Sequence, residues 1–341
     1  MFVRWSNLTV EESTQHRLPG YRDPAAVRRF DAPEALDMRF YEVQAKSVLN
    51  RVPDRSPMPF RWTINPFRGC AHACNFCFAR PTHTYLGFDA GRDFEREIVV
   101  KVNAPELLRA ELARPSWKRE HVALGTNTDP YQWVEGRYRL MEGIWEALRD
   151  ACNPCSILTK SPLLLRDLKL MVELNERSTF TACLSIPTLD EKAWRETEPH
   201  TPSPRARLEA VAELNRAGIP TGVLIAPLMP GINDAPHQVE PLIEMALEAG
   251  ASNIAGTALH LRGEVRQVFF DWLRTKRPDL EKSYAELYKR GANLPKPERE
   301  RLSRMVRRGG SPGSFWRDRY SDRPADAGLG FERAGIQQSL L

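Results

Sequence analysis

The sequence predicts an α/β fold built on a parallel sheet, and three observations support this prediction. Six short apolar runs each end in polar residues, proline or glycine, which is typical of buried parallel strands. Amphipathic stretches of helical length separate these runs, and the alternation is confined to the chain between Trp62 and residue 262. Such alternation indicates a partial barrel, a full barrel or a doubly wound sheet, and it leaves these alternatives open.

The six predicted strands are rich in Val, Ile, Leu and Thr. They lie at residues 63–69 (TINPFRG), 121–128 (HVALGTNT), 155–161 (CSILTKS), 180–187 (FTACLSIP), 220–230 (PTGVLIAPLMP) and 252–261 (SNIAGTALHL).

The segments between these runs carry helix signals. Pro204 and Pro236 stand near two helix starts, where a missing N–H costs least, and Gly218 and Gly250 follow two helix ends. The helices predicted between strands lie at residues 137–150, 162–175, 204–217 and 236–249. Further helices are predicted at residues 265–275, 280–290 and 298–308.

Two segments of different composition flank the alternating region. Residues 1–61 are rich in Arg and Pro without a clear period, so we predict an N-terminal arm, followed by a barrel over 62–276. A basic helical extension and tail is expected over 277–341, where ten Lys or Arg stand against three acids between Lys289 and Arg319. This stretch fits nucleic acid, because Lys and Arg neutralise phosphates, and it also fits an ordinary solvated face.

The composition of the 341-residue chain is that of an ordinary globular protein. It has 42% hydrophobic residues, 27% charged residues and a formal net charge of +5, which argues against a disordered or fibrous chain. No run of 18 apolar residues is present, and the first residues contain no apolar signal segment. We therefore expect a cytoplasmic protein with no membrane partner.

Three of the six cysteines form a C-x3-C-x2-C cluster at Cys70, Cys74 and Cys77. In a chain expected to be cytoplasmic, this spacing favours a metal site over disulfides. Three thiolates can ligate three irons of a [4Fe-4S] cluster and leave the fourth iron open to a small molecule. A structural zinc is the alternative, with His72 as the nearby fourth ligand.

The segment NPFRGCAHACNFCFAR resembles the cluster-binding loop of radical S-adenosylmethionine (SAM) enzymes. It is most similar to the branch of spore photoproduct lyase and its relatives, often labelled DNA repair photolyases. The resemblance extends over about residues 62–260, through the strand ends GTNTDPY, LTKS and CLSIPTLD and the strand LIAPLMP. It implies a partial (β/α)6 barrel that carries a [4Fe-4S] cluster and SAM at the C-terminal ends of its strands, and an electron donor such as flavodoxin or ferredoxin.

The resemblance also implies which residues contact the cofactors. The cluster ligands would be the three cysteines, and the SAM-binding residues would be Phe76, Thr126, Asn127, Asp129, Lys160, Ser185, Glu198 and Arg207. Among them, Phe76 would lie near the adenine, Ser185 near the ribose and Arg207 on the SAM carboxylate. Each has an alternative. Lys160 could instead be a solvated surface charge, and the Ser185 hydroxyl could be bonded to the backbone. Phe76 could simply pack within the loop. Arg207 could form an ion pair with Glu198 or Glu209 on a helix surface.

The chain departs from the lyase at the residues that return hydrogen to the substrate. The resemblance places Thr126 at the position of the lyase's relay cysteine, and Phe76 and Phe78 at its two relay tyrosines. Threonine O–H and phenyl C–H bonds are far stronger than a thiol S–H bond, so we expect no spore photoproduct repair by that relay.

The three remaining cysteines are predicted to be structural. Cys152 and Cys155 precede the third strand, at the barrel end remote from the chemistry, although their C-x2-C spacing also fits an auxiliary metal or redox site. Cys183 lies within the fourth strand and is expected in the core.

Three functions are compatible with these observations. The first is a radical SAM enzyme acting on nucleic acid or a nucleotide-like substrate. The second is the same chemistry on a protein or small metabolite. The third is a non-catalytic iron-sulfur protein, which the SAM-facing strand ends disfavour.

Overall fold

The computed structural model describes residues 8–11, 17–30, 37–56 and 58–307. The strands within this part of the chain are β1 (Leu8–Glu11), β2 (Ala26–Phe30), β3 (Arg39–Val43), β4 (Leu49–Arg51), β5 (Trp62–Ile64), β6 (Phe67–Arg68), β7 (Glu97–Lys101), β8 (Val122–Leu124), β9 (Cys155–Thr159), β10 (Phe180–Ser185), β11 (Thr221–Leu228) and β12 (Ile254–Ala258). They form two sheets, one of seven strands and one of five.

The seven-stranded sheet has the order β12-β11-β10-β9-β8-β5-β4. The strands from β5 to β12 in this sheet are all parallel, and β4 adds an antiparallel edge. Each parallel strand neighbours the next one along the chain, as in a barrel wall, whereas a doubly wound sheet reverses its order partway. The predicted α/β fold with a partial barrel of six parallel strands is therefore confirmed.

The helices connect and cover these strands. They are α1 (Arg92–Arg96), α2 (Ala104–Leu112), α3 (Glu135–Tyr138), α4 (Leu140–Asp150), α5 (Leu168–Arg177), α6 (Glu191–Thr197), α7 (Pro204–Arg216), α8 (Pro236–Glu248), α9 (Glu264–Lys276), α10 (Glu281–Leu287) and α11 (Lys296–Arg307). Short 3₁₀ segments span Arg80–Leu86, Pro162–Asp167 and Pro278–Leu280.

Side-chain caps explain where several of these helices begin. The Ser203 hydroxyl accepts the N–H of Ala206 at 3.2 Å, with Pro204 as the first residue of α7. The helix predicted at 137–150 is divided at Arg139, whose backbone is left-handed. The buried Glu135 carboxylate accepts the N–H of Leu140, at 3.1 Å, and of its neighbour, so it caps α4 from the preceding turn.

The first predicted strand is divided between the two sheets. Trp62–Ile64 joins the parallel sheet, whereas Phe67–Arg68 pairs antiparallel with β7 in the other sheet. The N-terminal region, predicted as an arm, also contributes strands. The five-stranded sheet has the order β1-β2-β3-β7-β6, with β3 and β7 parallel. These strands are short and carry Arg and Glu, so their alternation of apolar and polar residues is too brief to be recognised in the sequence.

The C-terminal helices lie against the last strands of the barrel. Tyr284 and Tyr288 are fully buried, and their hydroxyls donate to the carbonyls of Pro230 at 2.9 Å and Leu259 at 2.8 Å. A Cβ on Gly256 of β12 would lie 2.6 Å from Val306 of α11, which shows how closely this helix covers the strand.

Two further sequence predictions concern the C-terminal region and membranes. Of the basic stretch predicted between Lys289 and Arg319, the part after Arg307 lies outside the described residues. Among the described helices, none has the length and apolar character needed to cross a membrane.

Candidate functional site

A cavity of about 320 Å³ lies at the C-terminal ends of the parallel strands. This is the position at which barrels of this kind carry their chemistry. All of the predicted site residues except Glu198 and Arg207 line it, namely Cys70, Cys74, Phe76, Cys77, Thr126, Asn127, Asp129, Lys160 and Ser185. The fold therefore brings side chains from the cysteine loop and from three successive strand ends into one space.

Contacts on two sides hold the cysteine loop, residues 69–80. On the side of the five-stranded sheet, the Cys70 N–H donates to the carbonyl of Phe94 at 2.9 Å. Gly69 precedes it with a φ of +79°, and a Cβ there would lie 2.9 Å from Ile98 Cδ1. On the barrel side, the Asn75 side chain donates to the carbonyl of Glu196 at 2.7 Å.

Among the three cysteines of the loop, Cys70 and Cys74 are buried and Cys77 is half-buried. Burial raises the pKa of Cys70 to about 12, and the negative charge of Asp129 adds to this rise. Burial also raises the pKa values of Cys74 and Cys77. Because metal ligation requires thiolates, loading this site with metal must release protons.

The donor set fits an iron-sulfur cluster. Soft thiolates are the ligands of such clusters, and each thiolate binds its own iron, so the three sulfurs need not surround one point. Within the described residues, no group of three or more His, Cys, Asp or Glu side chains has an arrangement that could hold a single metal ion. His72, the fourth ligand of the zinc alternative, places Nδ1 3.4 Å from the Asp129 carboxylate.

Asp129 joins the ends of two neighbouring strands. Its carboxylate accepts the Thr159 hydroxyl at 2.6 Å, the Lys160 N–H at 2.7 Å and the Tyr131 N–H at 2.9 Å. The sequence identified Asp129 as a candidate SAM contact, and the structure adds this structural role.

Lys160 is held across the cavity wall and is not a solvated surface charge. Its ammonium donates to the Ser185 hydroxyl at 2.8 Å and to the Glu198 carboxylate. The ammonium also lies 5.6 Å from the centre of the Phe76 ring, within cation–π range. These contacts orient one positive charge beside the cysteine loop.

Glu198 and Arg207 form a buried ion pair behind the cavity wall, with Arg207 Nη1 2.9 Å from Glu198 Oε2. Burial by itself raises the pKa of Glu198, but the Arg207 guanidinium and the Lys160 ammonium together hold it below the usual value. Arg207 also donates to the carbonyls of Ser185 at 2.8 Å and Pro202 at 2.9 Å. The alternative of an ion pair between Arg207 and Glu198 is therefore confirmed in its partner, but its location on a helix surface is wrong because both side chains are buried. The contact of Arg207 with the SAM carboxylate stays a prediction.

Sequence reasoning missed several residues of the cavity wall. Gly125, directly after β8, has a φ of +74°, and a Cβ there would lie 1.8 Å from the Leu158 carbonyl oxygen. His260 follows β12, and its Nδ1 lies 2.9 Å from the Asn293 side-chain oxygen. Gly125 lay inside the strand predicted at 121–128, and a glycine within a strand pattern is a usable signal of close backbone approach. The contact of His260 had no local signal, because its partner Asn293 is 33 residues away.

The other cysteines lie away from the lining of this cavity. Cys155 opens β9, so it stands at the opposite end of the strand from Lys160, and Cys152 precedes it in the same turn region. Cys183 is 1% exposed within β10. Their structural role stays a prediction.

Comparison with known proteins agrees with this geometry. The model of the radical SAM superfamily matches residues 64–246. An uncharacterized protein of Mycobacterium bovis is 46% identical over 289 residues, which are 85% of this chain and 85% of that protein. An uncharacterized protein of Methanocaldococcus jannaschii is 27% identical over 196 residues, 58% of this chain and 70% of that protein.

Among solved structures, spore photoproduct lyase complexed with dinucleoside spore photoproduct superposes with a TM-score of 0.57. The superposition covers 79% of this chain and 78% of the lyase, at 16% sequence identity, and therefore demonstrates a shared fold. With a family match over more than half of its length and a cysteine loop at the mouth of a parallel partial barrel, the chain belongs to the radical SAM superfamily.

Proposed function

We propose that this protein is a radical SAM enzyme whose reaction takes place in the cavity at the barrel mouth. The single observation that carries the proposal is the convergence of the cysteine loop with Asp129, Lys160 and Ser185 on one cavity. When bound, a [4Fe-4S] cluster and SAM supply a 5′-deoxyadenosyl radical that abstracts hydrogen from a substrate.

The residues of this chain have distinct tasks in that reaction. The thiolates of Cys70, Cys74 and Cys77 would hold three irons of the cluster, so that the remaining iron would be open to SAM. Lys160 and Ser185 offer a cation and a hydroxyl, held at 2.8 Å from each other, for orienting the polar parts of SAM. Apolar side chains of β9 and β11 that line the same cavity exclude water, which protects a radical from side reactions.

We further propose that the reaction differs from spore photoproduct repair. Thr126, Phe76 and Phe78, which the sequence resemblance matches to the relay cysteine and the two relay tyrosines, all line the cavity. Within the described residues, the cavity contains no thiol besides the three of the loop. Hydrogen return by a side-chain thiol therefore has no donor here.

Size and charge support nucleic acid or a nucleotide-like molecule as the substrate class. A cavity of about 320 Å³ is at the small end of ligand sites, so bound SAM would leave little room in it and a larger substrate would approach from the rim. Phe78, 61% exposed at that rim, offers an aromatic face on which a base can stack. The basic stretch from Lys289 to Arg319 would attract phosphates.

The test of the enzyme proposal is reductive cleavage of SAM. Full-length protein is reconstituted anaerobically with iron and sulfide, reduced with dithionite and analysed for 5′-deoxyadenosine and for iron content. We expect 5′-deoxyadenosine, and no efficient conversion of added dinucleoside spore photoproduct. A sample with full iron that forms no 5′-deoxyadenosine would contradict the proposal, and brisk photoproduct repair would contradict the proposed difference from the lyase.

The substrate class is tested by binding to duplex DNA and tRNA at increasing salt. We expect binding that weakens with salt and is reduced in a variant in which Arg290 and Arg304, two exposed members of the basic stretch, are both replaced by Gln. Salt-insensitive binding, or equal binding by this variant, would favour a protein or small-metabolite substrate.

A further inference from the structure

A fully buried arginine lies three residues beyond the third cysteine of the loop. Arg80 is 0% exposed, and its guanidinium donates to the carbonyls of Cys74 at 2.9 Å and Ala73 at 3.2 Å. It also donates to the carbonyls of Ala90 at 3.1 Å and Gly91 at 2.8 Å. Arg80 therefore ties the middle of the cysteine loop to the segment that leads into α1.

The charge of Arg80 is only partly compensated. Its single carboxylate partner among the described residues is Glu95, whose side chain is 24% exposed, so water screens the negative charge more than the positive one. The Phe94 ring covers the guanidinium, with 5.3 Å between the charge and the ring centre. A positive charge is thus enclosed in low-dielectric surroundings beside the thiols. The backbone N–H of Arg80 also donates to the carbonyl of Cys77 at 3.3 Å, so this residue stays next to the third cysteine.

We propose that Arg80 is a positioning residue that holds the cysteine loop and whose buried charge raises the reduction potential of the cluster bound there. Reduction adds one electron, here from dithionite, and makes the cluster and its thiolates more negative. A fixed positive charge stabilises the reduced form more than the oxidised form, and local charge and hydrogen bonding are known to tune such potentials. The inference rests on the proposed cluster but needs neither SAM cleavage nor a substrate.

Two substitutions separate an electrostatic role from a purely structural one. Glu95→Gln removes the counter-charge and leaves the four carbonyl contacts of Arg80 in place, so we expect a higher midpoint potential. Arg80→Gln removes the positive charge, so we expect a lower midpoint potential. Arg80→Lys keeps the charge and loses the planar fork, so we expect weaker iron retention with a potential closer to wild type.

Arg166→Gln is the matched control. Like Arg80, Arg166 is an arginine that pairs with carboxylates. Its partners are the buried side chains of Glu135 and Asp167, each at 2.7 Å, and it does not line the cavity. We expect this variant to lower thermal stability without moving the potential.

The measurement is a redox titration of the reconstituted full-length protein without SAM, followed by electron paramagnetic resonance, with iron content determined for each variant. Shifts of opposite sign in Glu95→Gln and Arg80→Gln support the inference. If Arg80→Gln does not retain iron, the upward shift in Glu95→Gln must still be present. If the wild-type protein assembles a cluster but Glu95→Gln leaves the midpoint potential unchanged or lowers it, this inference is overturned and the proposed function is not. Wild-type protein that assembles no cluster overturns the proposed function and this inference together.

Discussion

The two sheets of this protein differ in how they are built and in what they hold. The seven-stranded sheet packs against the main apolar core, and its strand ends carry Asp129, Lys160 and Ser185 into the cavity. The five-stranded sheet also has buried apolar side chains, but charged side chains link its strands β3 and β7, and its strands β6 and β7 flank the cysteine loop. One sheet presents the side chains expected to bind SAM, and the other anchors the side chains expected to bind iron.

The charged pairs of the five-stranded sheet link strands that are distant in sequence. The Glu97 carboxylate on β7 accepts the Tyr41 hydroxyl at 2.9 Å and Arg39 Nε at 2.8 Å, both from β3. In the barrel, by contrast, charged and polar links between strands lie at the mouth, where Asp129 contacts Thr159 and Lys160. Substitutions at the barrel mouth should therefore change chemistry, and substitutions in the second sheet should change stability.

The sharpest test of this division concerns the cysteines. We expect Cys70→Ala, Cys74→Ala and Cys77→Ala each to lose the cluster and all 5′-deoxyadenosine formation, because each removes one iron ligand. The matched controls Cys152→Ala, Cys155→Ala and Cys183→Ala remove thiols outside the cavity and should keep wild-type iron content. Iron analysis and visible absorbance after reconstitution provide the measurement. Full iron in a loop variant, or iron loss in a control, would contradict the assignment.

The next effect is a pH dependence that arises in the second sheet. Lys101 of β7 is 4% exposed, and burial lowers its pKa to about 7, with Arg68 adding to the shift and Glu111 opposing it. Between pH 7 and about pH 10.4, the unfolded chain binds a proton on this lysine that the folded protein does not. Stability should therefore rise with pH across this window, by up to about 1.4 kcal/mol per pH unit, and fall as the pH drops towards 7.

Lys101→Met removes this contribution. We expect the variant to show a flatter dependence of the free energy of unfolding on pH, measured by urea denaturation under reducing conditions at pH 7.5 and pH 9. An unchanged slope would show that Lys101 keeps its charge in the folded protein.

The smallest expected effect comes from the charged link between β3 and β7. Glu97→Gln weakens the contacts to Arg39 and Tyr41, and because Arg39 is 40% exposed and can turn to water, we expect a loss of only about 1 kcal/mol. Glu213→Gln, which breaks an exposed pair with Arg216 on α7, is the control, with a change below about 0.5 kcal/mol. Equal urea midpoints for both variants would mean that the buried link contributes no more than a surface pair.

Much of the barrel was predictable because its signals are local. Apolar runs, prolines at helix starts and glycines at helix ends each report on a few neighbouring residues, and β9, β10, β11 and β12 lie within their predicted ranges. The cysteine spacing is equally local, and the strand-end positions of Asp129, Lys160 and Ser185 follow from the edge that parallel strands share. The interruption at Asn65-Pro66, where the chain leaves one sheet for the other, also had a local signal, because an Asn-Pro dipeptide inside a strand pattern marks a break, but the strand prediction ran through it.

By itself, the sequence determined the class of fold, the six parallel strands and the identity of the thiols and polar groups at the mouth. Only the tertiary structure decided that Glu198 and Arg207 form a buried pair behind Lys160, that the N-terminal strands join β7, and that Arg80 clamps the cysteine loop. The physical reason is the separation along the chain over which each kind of interaction acts. Periodicity and composition describe contacts along a few residues of chain, whereas a buried charge finds its partner through packing between segments that lie far apart in the sequence.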